Sequence, residues 1–231
     1  MQAIILAGGF GTRLGKLTEK MPKAMMDING NPFLEHQLEL LKNKGFTEII
    51  LSTGYKGNMI RDYFSKKDMG LNILFSQEDS PLGTGGALRL IKEKNIFLDD
   101  FFFIINGDTF LNINYKNLFS SFSQITRLNL TQEKAMIITG VIPGKNNLTI
   151  NKNKIIGYDK ETPSGNAIDA GAILIKKEIL GYICPGKPVS FEKEIYPILI
   201  NKKELLASLP NIFYDIGSLE GLRKFRQVIK K

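Results

Sequence analysis

Short apolar runs recur along this chain with amphipathic helical patterns between them, at the spacing of βα units. That alternation restricts the fold more than any other feature. Ala3 to Ala7 reads as a buried strand, and Pro32 to Lys44 as a helix with Phe33, Leu34, Leu38 and Leu41 on one face and Gly45 as its stop. Ile49 to Ser52, Ile73 to Ser76, Phe101 to Ile105 and Ala135 to Val141 continue the strand series, with Met59 to Phe64 and Gly85 to Lys94 as helices among them. After Pro143, Leu148 to Ile150 and Lys154 to Tyr158 alternate around Asn151-Lys152-Asn153, a hairpin signal. Ala172 to Ile175 reads as a further strand, and Phe191 to Ile200 and Gly221 to Ile229 as helices. The pattern predicts an α/β fold over residues 1–231 as one domain, a mainly parallel sheet with helices on both faces and an antiparallel addition in its second half. Ligands of such folds gather beyond the carboxyl ends of strands, so the polar residues just after strands are the candidates.

Composition narrows the chemistry. With 43% hydrophobic and 23% charged residues among 231, the chain has an ordinary globular mix, which argues against disorder, collagen or a long coiled coil. Its 31 basic and 23 acidic residues leave +8, which would suit nucleic acid, an anionic membrane surface or phosphorylated small molecules, or serve solubility alone. Cys184 is the one cysteine and His36 the one histidine, so an internal disulfide and a His/Cys metal site are excluded, and any metal must be held by oxygen. The longest apolar runs fall far short of the roughly 18 residues of a membrane span. The start lacks a basic segment ahead of a long hydrophobic one, so the expectation is a soluble cytoplasmic protein.

The first strand runs into Leu6-Ala7-Gly8-Gly9-Phe10-Gly11-Thr12-Arg13-Leu14. Glycines there let backbone N–H groups approach a phosphate, although a bare GGxG also fits a tight turn. A dinucleotide fingerprint fails at Leu14, and a Walker loop fails at Phe10 and Leu17. Arg13 at the loop's end and Lys23 after Pro22 add a guanidinium fork and a point charge, the cations a triphosphate needs.

From these residues onward the chain resembles the sugar-1-phosphate nucleotidyltransferase family. The family's GGxGTRL and Pro-Lys pair match Gly8 to Leu14 and Pro22-Lys23. Pro81 to Ala87, Asn106-Gly107-Asp108-Thr109, Asp169-Ala170-Gly171 and Tyr214-Asp215-Ile216-Gly217 follow in the family's order. The length resembles members with the transferase domain alone. The resemblance implies a Rossmann-like three-layer sandwich with a mixed, mainly parallel sheet. It also implies attack by a sugar 1-phosphate oxygen on the α-phosphorus of a nucleoside triphosphate, releasing pyrophosphate.

Carried over to this sequence, the family's roles make Arg13, Lys23 and Asp108 catalytic. Nucleotide binding would fall to Leu6, Gly8, Gly9, Gly11, Thr12, Arg13, Lys23, Glu78, Gly83, Thr84 and Asp108. Asp108 and Asp215 would be the Mg²⁺ ligands, in keeping with the hard oxygen donors that ion takes. Each also has a plain alternative, a carboxylate capping a helix N-terminus near Leu111-Asn112 or Ser218. A Glu78 carboxylate can accept both N1–H and N2–H₂ of guanine, which leans towards GTP, and it equally fits a solvated loop position.

The sugar phosphate would meet Asp159, Lys160, Asp169 and Gly171. Departures collect here: Asp159-Lys160 stands for the family's Glu-Lys, Asp169 for an asparagine, Asn146-Asn147 for Tyr-Gly, and Ala24 for a proline. The runs Pro81 to Ala87, Asn106 to Phe110 and Ser190 to Pro197 are most similar to D-glycero-α-D-manno-heptose 1-phosphate guanylyltransferases. The expected reaction is therefore GTP plus that heptose 1-phosphate. Mannose-1-phosphate guanylyl transfer, another uridylyl, thymidylyl or cytidylyl transfer, and a non-catalytic nucleotide-binding regulator remain as alternatives. The expected partners are the nucleotide and the sugar phosphate, with no nucleic acid and no membrane, in a monomer or homodimer. His36, Cys184 and Phe101 to Phe103 read as structural, and the basic run Arg223 to Arg226 as a solvated helix face.

Overall fold

The computed structural model describes residues 1–128, 130–142, 144–162 and 164–229. The fold is α/β with a large mixed sheet, as the alternation of apolar runs requires. The chain forms two compact units, Met1–Pro81 with Ile105–Asn112 and Phe213–Lys231, and Leu82–Ile104 with Ile113–Ile212.

In the first unit Gln2–Leu6, Glu48–Thr53 and Asn72–Gln77 lie side by side in parallel, with Ile4 opposite Ile50 and Ile50 opposite Leu74. Ala3, Ile4, Ile5, Ile49, Ile50 and Leu51 are inaccessible to solvent, as continuous apolar strands of a covered parallel sheet should be. Helix Phe33–Asn43 buries Phe33, Leu34, Leu38 and Leu41, the stripe read from the sequence. His36 bonds Ile28 O through Nε2 at 2.9 Å and sets its ring edge-on to Phe225, a structural role. The C-terminal helix Leu219–Val228 drives Leu222 and Phe225 into a cluster with Leu14, Met26, Ile28, Phe33, Phe110 and Ile216. Phe225 lies 4.8 Å from the Phe110 ring and 5.1 Å from the Phe33 ring, centroid to centroid.

In the second unit Ala135–Gly140 pairs antiparallel with Ile168–Lys176 and parallel with Leu205–Ala207. The predicted hairpin forms from Leu148–Asn151 and Lys154–Tyr158. Three features differ from expectation. Helix Tyr115–Arg127, unread in the sequence, packs Tyr115 and Phe122 against Phe103 and Phe101. The strand expected from Ala172 begins at Ile168, with a bulge between Asp169 and Ala172. The helix expected over residues 191–200 is a wide π turn, Phe191–Ile195, followed by α-helix Tyr196–Asn201. Pro197 has no N–H to continue a regular ladder backwards, so the pitch changes there.

Candidate active site

The first unit's site begins where strand Gln2–Leu6 ends. Ala7 N–H donates to Ser52 O at 2.8 Å, and the glycine loop then enters two 3₁₀ turns within Thr12–Thr18, separated by a kink at Gly15. Thr18 Oγ1 donates to the carbonyls of Gly11 and Gly15, which fixes the turns with Arg13 exposed and Leu14 buried. Gly11 packs against Thr18 and Lys23; Gly9 and Thr12 are exposed, and Leu6 is half-buried.

Gly107 donates its N–H to Leu6 O at 3.0 Å. A Cβ on Gly107 would lie 2.8 Å from that oxygen and 3.0 Å from Ala7 Cα, so a side chain there would force the two segments apart. Gln37 Nε2 clamps the same corner, donating to Asn106 O at 3.0 Å and Thr109 O at 2.6 Å. Asp108 is thereby held at a strand's carboxyl end, where its carboxylate forms an ion pair with Lys23. Their side chains are 24% and 12% exposed, so loss of either partner would leave a poorly hydrated charge.

Asp215 arrives from the other end of the chain. Tyr214–Asp215 pairs antiparallel with Thr109–Phe110, and Ile216 N–H donates to Asp108 O at 3.0 Å. Asp215 Oδ1 accepts the Gly217 N–H at 2.6 Å. A Cβ added to buried Gly217 would lie 2.7 Å from Asp215 Oδ1, 2.7 Å from Lys23 Nζ and 2.9 Å from Arg13 Nη2. One small volume is thus ringed by two cations and a carboxylate, with Asp108 behind Lys23.

Neither aspartate caps a helix. Asn114 accepts from Asn117 N–H at the start of Tyr115–Arg127, and Ser218 Oγ accepts from Gly221 N–H at the start of Leu219–Val228. An amide and a hydroxyl do the capping, and the carboxylates are left for the site.

Among the described residues no three His, Cys, Asp or Glu side chains cluster to hold a metal. Two carboxylates carried on one ribbon nevertheless fit Mg²⁺, which takes one or two from protein and completes its shell with phosphate oxygens and water.

Glu78 follows strand Asn72–Gln77, with its N–H bonded to Thr53 O. Its carboxylate lies over two glycines: a Cβ on Gly54 would meet Glu78 Oε1 at 2.6 Å, and one on Gly8 at 3.1 Å.

The remaining expected residues belong to the second unit. Gly83 packs on the Val189 backbone. The Thr84 hydroxyl donates to Glu192 Oε2 at 2.7 Å and accepts the Phe191 N–H at 2.8 Å, so it is fully engaged inside the protein. Asp159 accepts from Glu161 N–H, Thr162 N–H and Thr162 Oγ1, which holds its carboxyl below the usual range and fixes the loop bearing exposed Lys160.

Asp169 accepts Gly171 N–H and the Tyr196 hydroxyl, both at 2.8 Å. Burial pushes its carboxyl up to about 6, against those hydrogen bonds; nearby Glu192 adds to the rise and Lys160 opposes it. Tyr196 is buried and its hydroxyl pushed well up by burial and by Asp169, while the Tyr158 ring stands edge-on to it at 5.2 Å. Sequence reading named neither Tyr196 nor Glu192 as site residues. Both lie in the Ser190 to Pro197 run, but nothing local to that run points to Asp169.

An α/β frame with a glycine loop, two cations and two carboxylates at strand ends is the arrangement of a protein that handles phosphoanhydrides. The nucleotidyl transferase family model matches residues 2–231, and the chain belongs to that family. It is 35% identical over 226 residues to the D-glycero-alpha-D-manno-heptose 1-phosphate guanylyltransferase of Campylobacter jejuni, covering 97% of this chain and 98% of the relative. It is 31% identical to a probable mannose-1-phosphate guanylyltransferase 2 of Oryza sativa, spanning all of this chain but 66% of that protein's length. The crystal structure of HddC from Yersinia pseudotuberculosis superposes with a TM-score of 0.83 at 29% identity, covering 99% of both chains, and a second HddC structure is complexed with GMP-PN. No helix among the described residues is long and apolar enough to cross a membrane.

Proposed function

We propose that this chain transfers a guanylyl group from GTP to a sugar 1-phosphate, with D-glycero-α-D-manno-heptose 1-phosphate as the first substrate to test. The carrying observation is the convergence of Arg13, Lys23 and Asp215 on one point beside Asp108. Phosphoryl-type transfer asks the protein mainly for alignment and charge neutralisation. A sugar phosphate oxygen forms a new bond to the α-phosphorus, the bond from that phosphorus to the β-phosphate bridging oxygen breaks, and pyrophosphate leaves.

Arg13 neutralises the departing β- and γ-phosphates through its planar fork. Lys23 exchanges Asp108 for the α-phosphoryl oxygens and the incoming phosphate. Asp108 and Asp215 would hold Mg²⁺, which supplies Lewis-acid neutralisation of the same oxygens. The loop Leu6, Gly8, Gly9, Gly11 and Thr12 offers backbone N–H groups, and Glu78 accepts from the guanine edge. In the second unit Lys160 meets the sugar phosphate, while Asp169, Gly171 and the turn held by Asp159 shape the sugar's seat. Gly83 and Thr84 act through backbone and packing, since the Thr84 hydroxyl is occupied.

The mannose 1-phosphate reading draws on the rice relative and on a Saccharomyces cerevisiae enzyme 33% identical, of whose length the match covers 61%. The heptose is taken first for testing because the heptose enzyme's match spans 97% of this chain and 98% of that enzyme, although the two readings draw equal support from the relatives. Pyrophosphate release measured with GTP, CTP, UTP and dTTP against a panel of sugar 1-phosphates tests the reading. Turnover is expected with GTP and the heptose 1-phosphate. Tight nucleotide binding without turnover for any pair would overturn it in favour of a non-catalytic regulator.

A further inference from the structure

The second unit contains a cavity of about 710 Å³ that shares no residue with the candidate active site. It opens at the amino end of strand Phe101–Asn106, whereas Asp108 follows the carboxyl end. Its apolar lining includes Ile96, Leu98, Phe101 and Leu180, and its cations are Lys92, Arg127, Lys176 and Lys177 against the acids Asp100 and Glu178.

How those charges are satisfied is uneven. Glu178 is shared between Lys134 at 3.3 Å and Lys176 at 3.5 Å, and Asp100 stands 3.6 Å from Lys177. Lys92 and Arg127 have no carboxylate within ion-pair distance among the described residues. Arg127 instead lies over the Phe101 ring, 5.5 Å from its centroid, and Lys177 lies 5.9 Å from the Phe97 centroid. Lys92 and Arg127 each sit in the last turn of a helix, where carbonyl dipoles offset part of their charge. Those dipoles do not account for Phe97, a phenyl ring 72% exposed at the rim of a basic concavity.

Cations over apolar walls, with an exposed ring at the mouth, match a ligand that is anionic at one end and planar at the other. We infer that this cavity binds a phosphorylated ring compound of the nucleotide class, with phosphate on Arg127, Lys92 and Lys177 and the ring against Phe97. The volume lies within the range of small-molecule sites. The guanidinium fork supplies paired donors to phosphate oxygens.

Calorimetric titration of the whole chain with GDP tests the inference, with guanosine as the uncharged control. GDP is expected to occupy two sites per chain. Arg127→Ala and Phe97→Ala should each weaken one of them by roughly tenfold or more while sparing the other, and Arg13→Ala should do the reverse. Lys92→Ala, an exposed change, repeats the test if Arg127→Ala does not fold. Guanosine should bind the Phe97-dependent site at least about tenfold more weakly than GDP. A single GDP site that depends on Arg13 and not on Phe97 or Arg127, a second site indifferent to Phe97 and Arg127, or equal binding of guanosine would overturn the inference. If Arg13→Ala weakened neither site, the active-site assignment would fail while this one stood.

Discussion

Replacing Asp169 by asparagine isolates the effect of keeping a carboxyl group in the buried polar cluster of the second unit. Burial raises that carboxyl from 3.8 to about 6, although the Gly171 N–H, the Tyr196 hydroxyl and Lys160 all favour its charged form. Because the folded pKa lies above the unfolded one, the folded protein holds this proton more tightly. The resulting stability is complete below about pH 3.8 and is lost as pH rises through about 6. A gap of about two pK units corresponds to roughly 3 kcal/mol, an upper figure because water and side-chain relaxation shield part of the charge. Asparagine has the same shape, can still accept one of the two hydrogen bonds, and does not titrate. Chemical denaturation of both proteins at about pH 4 and about pH 7 should therefore show Asp169→Asn gaining on the wild type with rising pH, by up to about 3 kcal/mol. In turnover, the wild type's KM for the sugar 1-phosphate should rise through the same window as the carboxylate charges, and the variant's should stay flat. Stability differences that are equal at both pH values would refute the reasoning, because they would mean that Asp169 titrates alike in the folded and unfolded chain.

Asp108→Asn should lower Mg²⁺-dependent kcat by about two orders of magnitude and cost on the order of 1–2 kcal/mol of stability, since Lys23 loses its partner; a near wild-type kcat in a pyrophosphate assay would remove Asp108 from the metal's shell. Gly217→Ala places a methyl among Arg13, Lys23 and Asp215, at a position whose φ is not positive. Its thermal unfolding should stay close to wild type while kcat falls about tenfold or more, and unchanged kinetics would show that the volume is not used. Glu78→Gln should reduce the preference for GTP over UTP by about tenfold, read as a ratio of kcat/KM values, and an unaltered ratio would exclude Glu78 from base recognition.

The parallel strands of the first unit were legible because their apolar runs are short, continuous and punctuated by glycine. Arg13, Lys23, Asp108 and Asp215 were proposed from their order along the chain; in the structure Arg13, Lys23 and Asp215 face one point at Gly217, and Asp108 pairs with Lys23. Helix Tyr115–Arg127 was missed because its Asn, Ser, Thr and Phe residues are indifferent helix formers, and packing of Tyr115 and Phe122 on the phenylalanine strand decides its conformation. The early start of strand Ile168–Lys176 was hidden because a bulge at Asp169 to Ala172 breaks the two-residue period. Tyr196 and Glu192 escaped for a different reason. Their importance lies in partners at Asp169 and Thr84, distant along the chain, which no local pattern reports.

The ribbon that pairs Tyr214–Asp215 with Thr109–Phe110 closes a loop of roughly a hundred residues, at an entropic cost of about 4 kcal/mol. Competence for chemistry therefore trails behind formation of the strands that carry the first half of the site. During refolding, secondary structure should return before pyrophosphate release does. A chain that ends at Ile212 would keep Arg13, Lys23 and Asp108 yet lack Asp215 and the Leu222–Phe225 wedge that packs beside the ribbon, so under the proposed roles the nineteen residues after Ile212 would decide whether the rest can act.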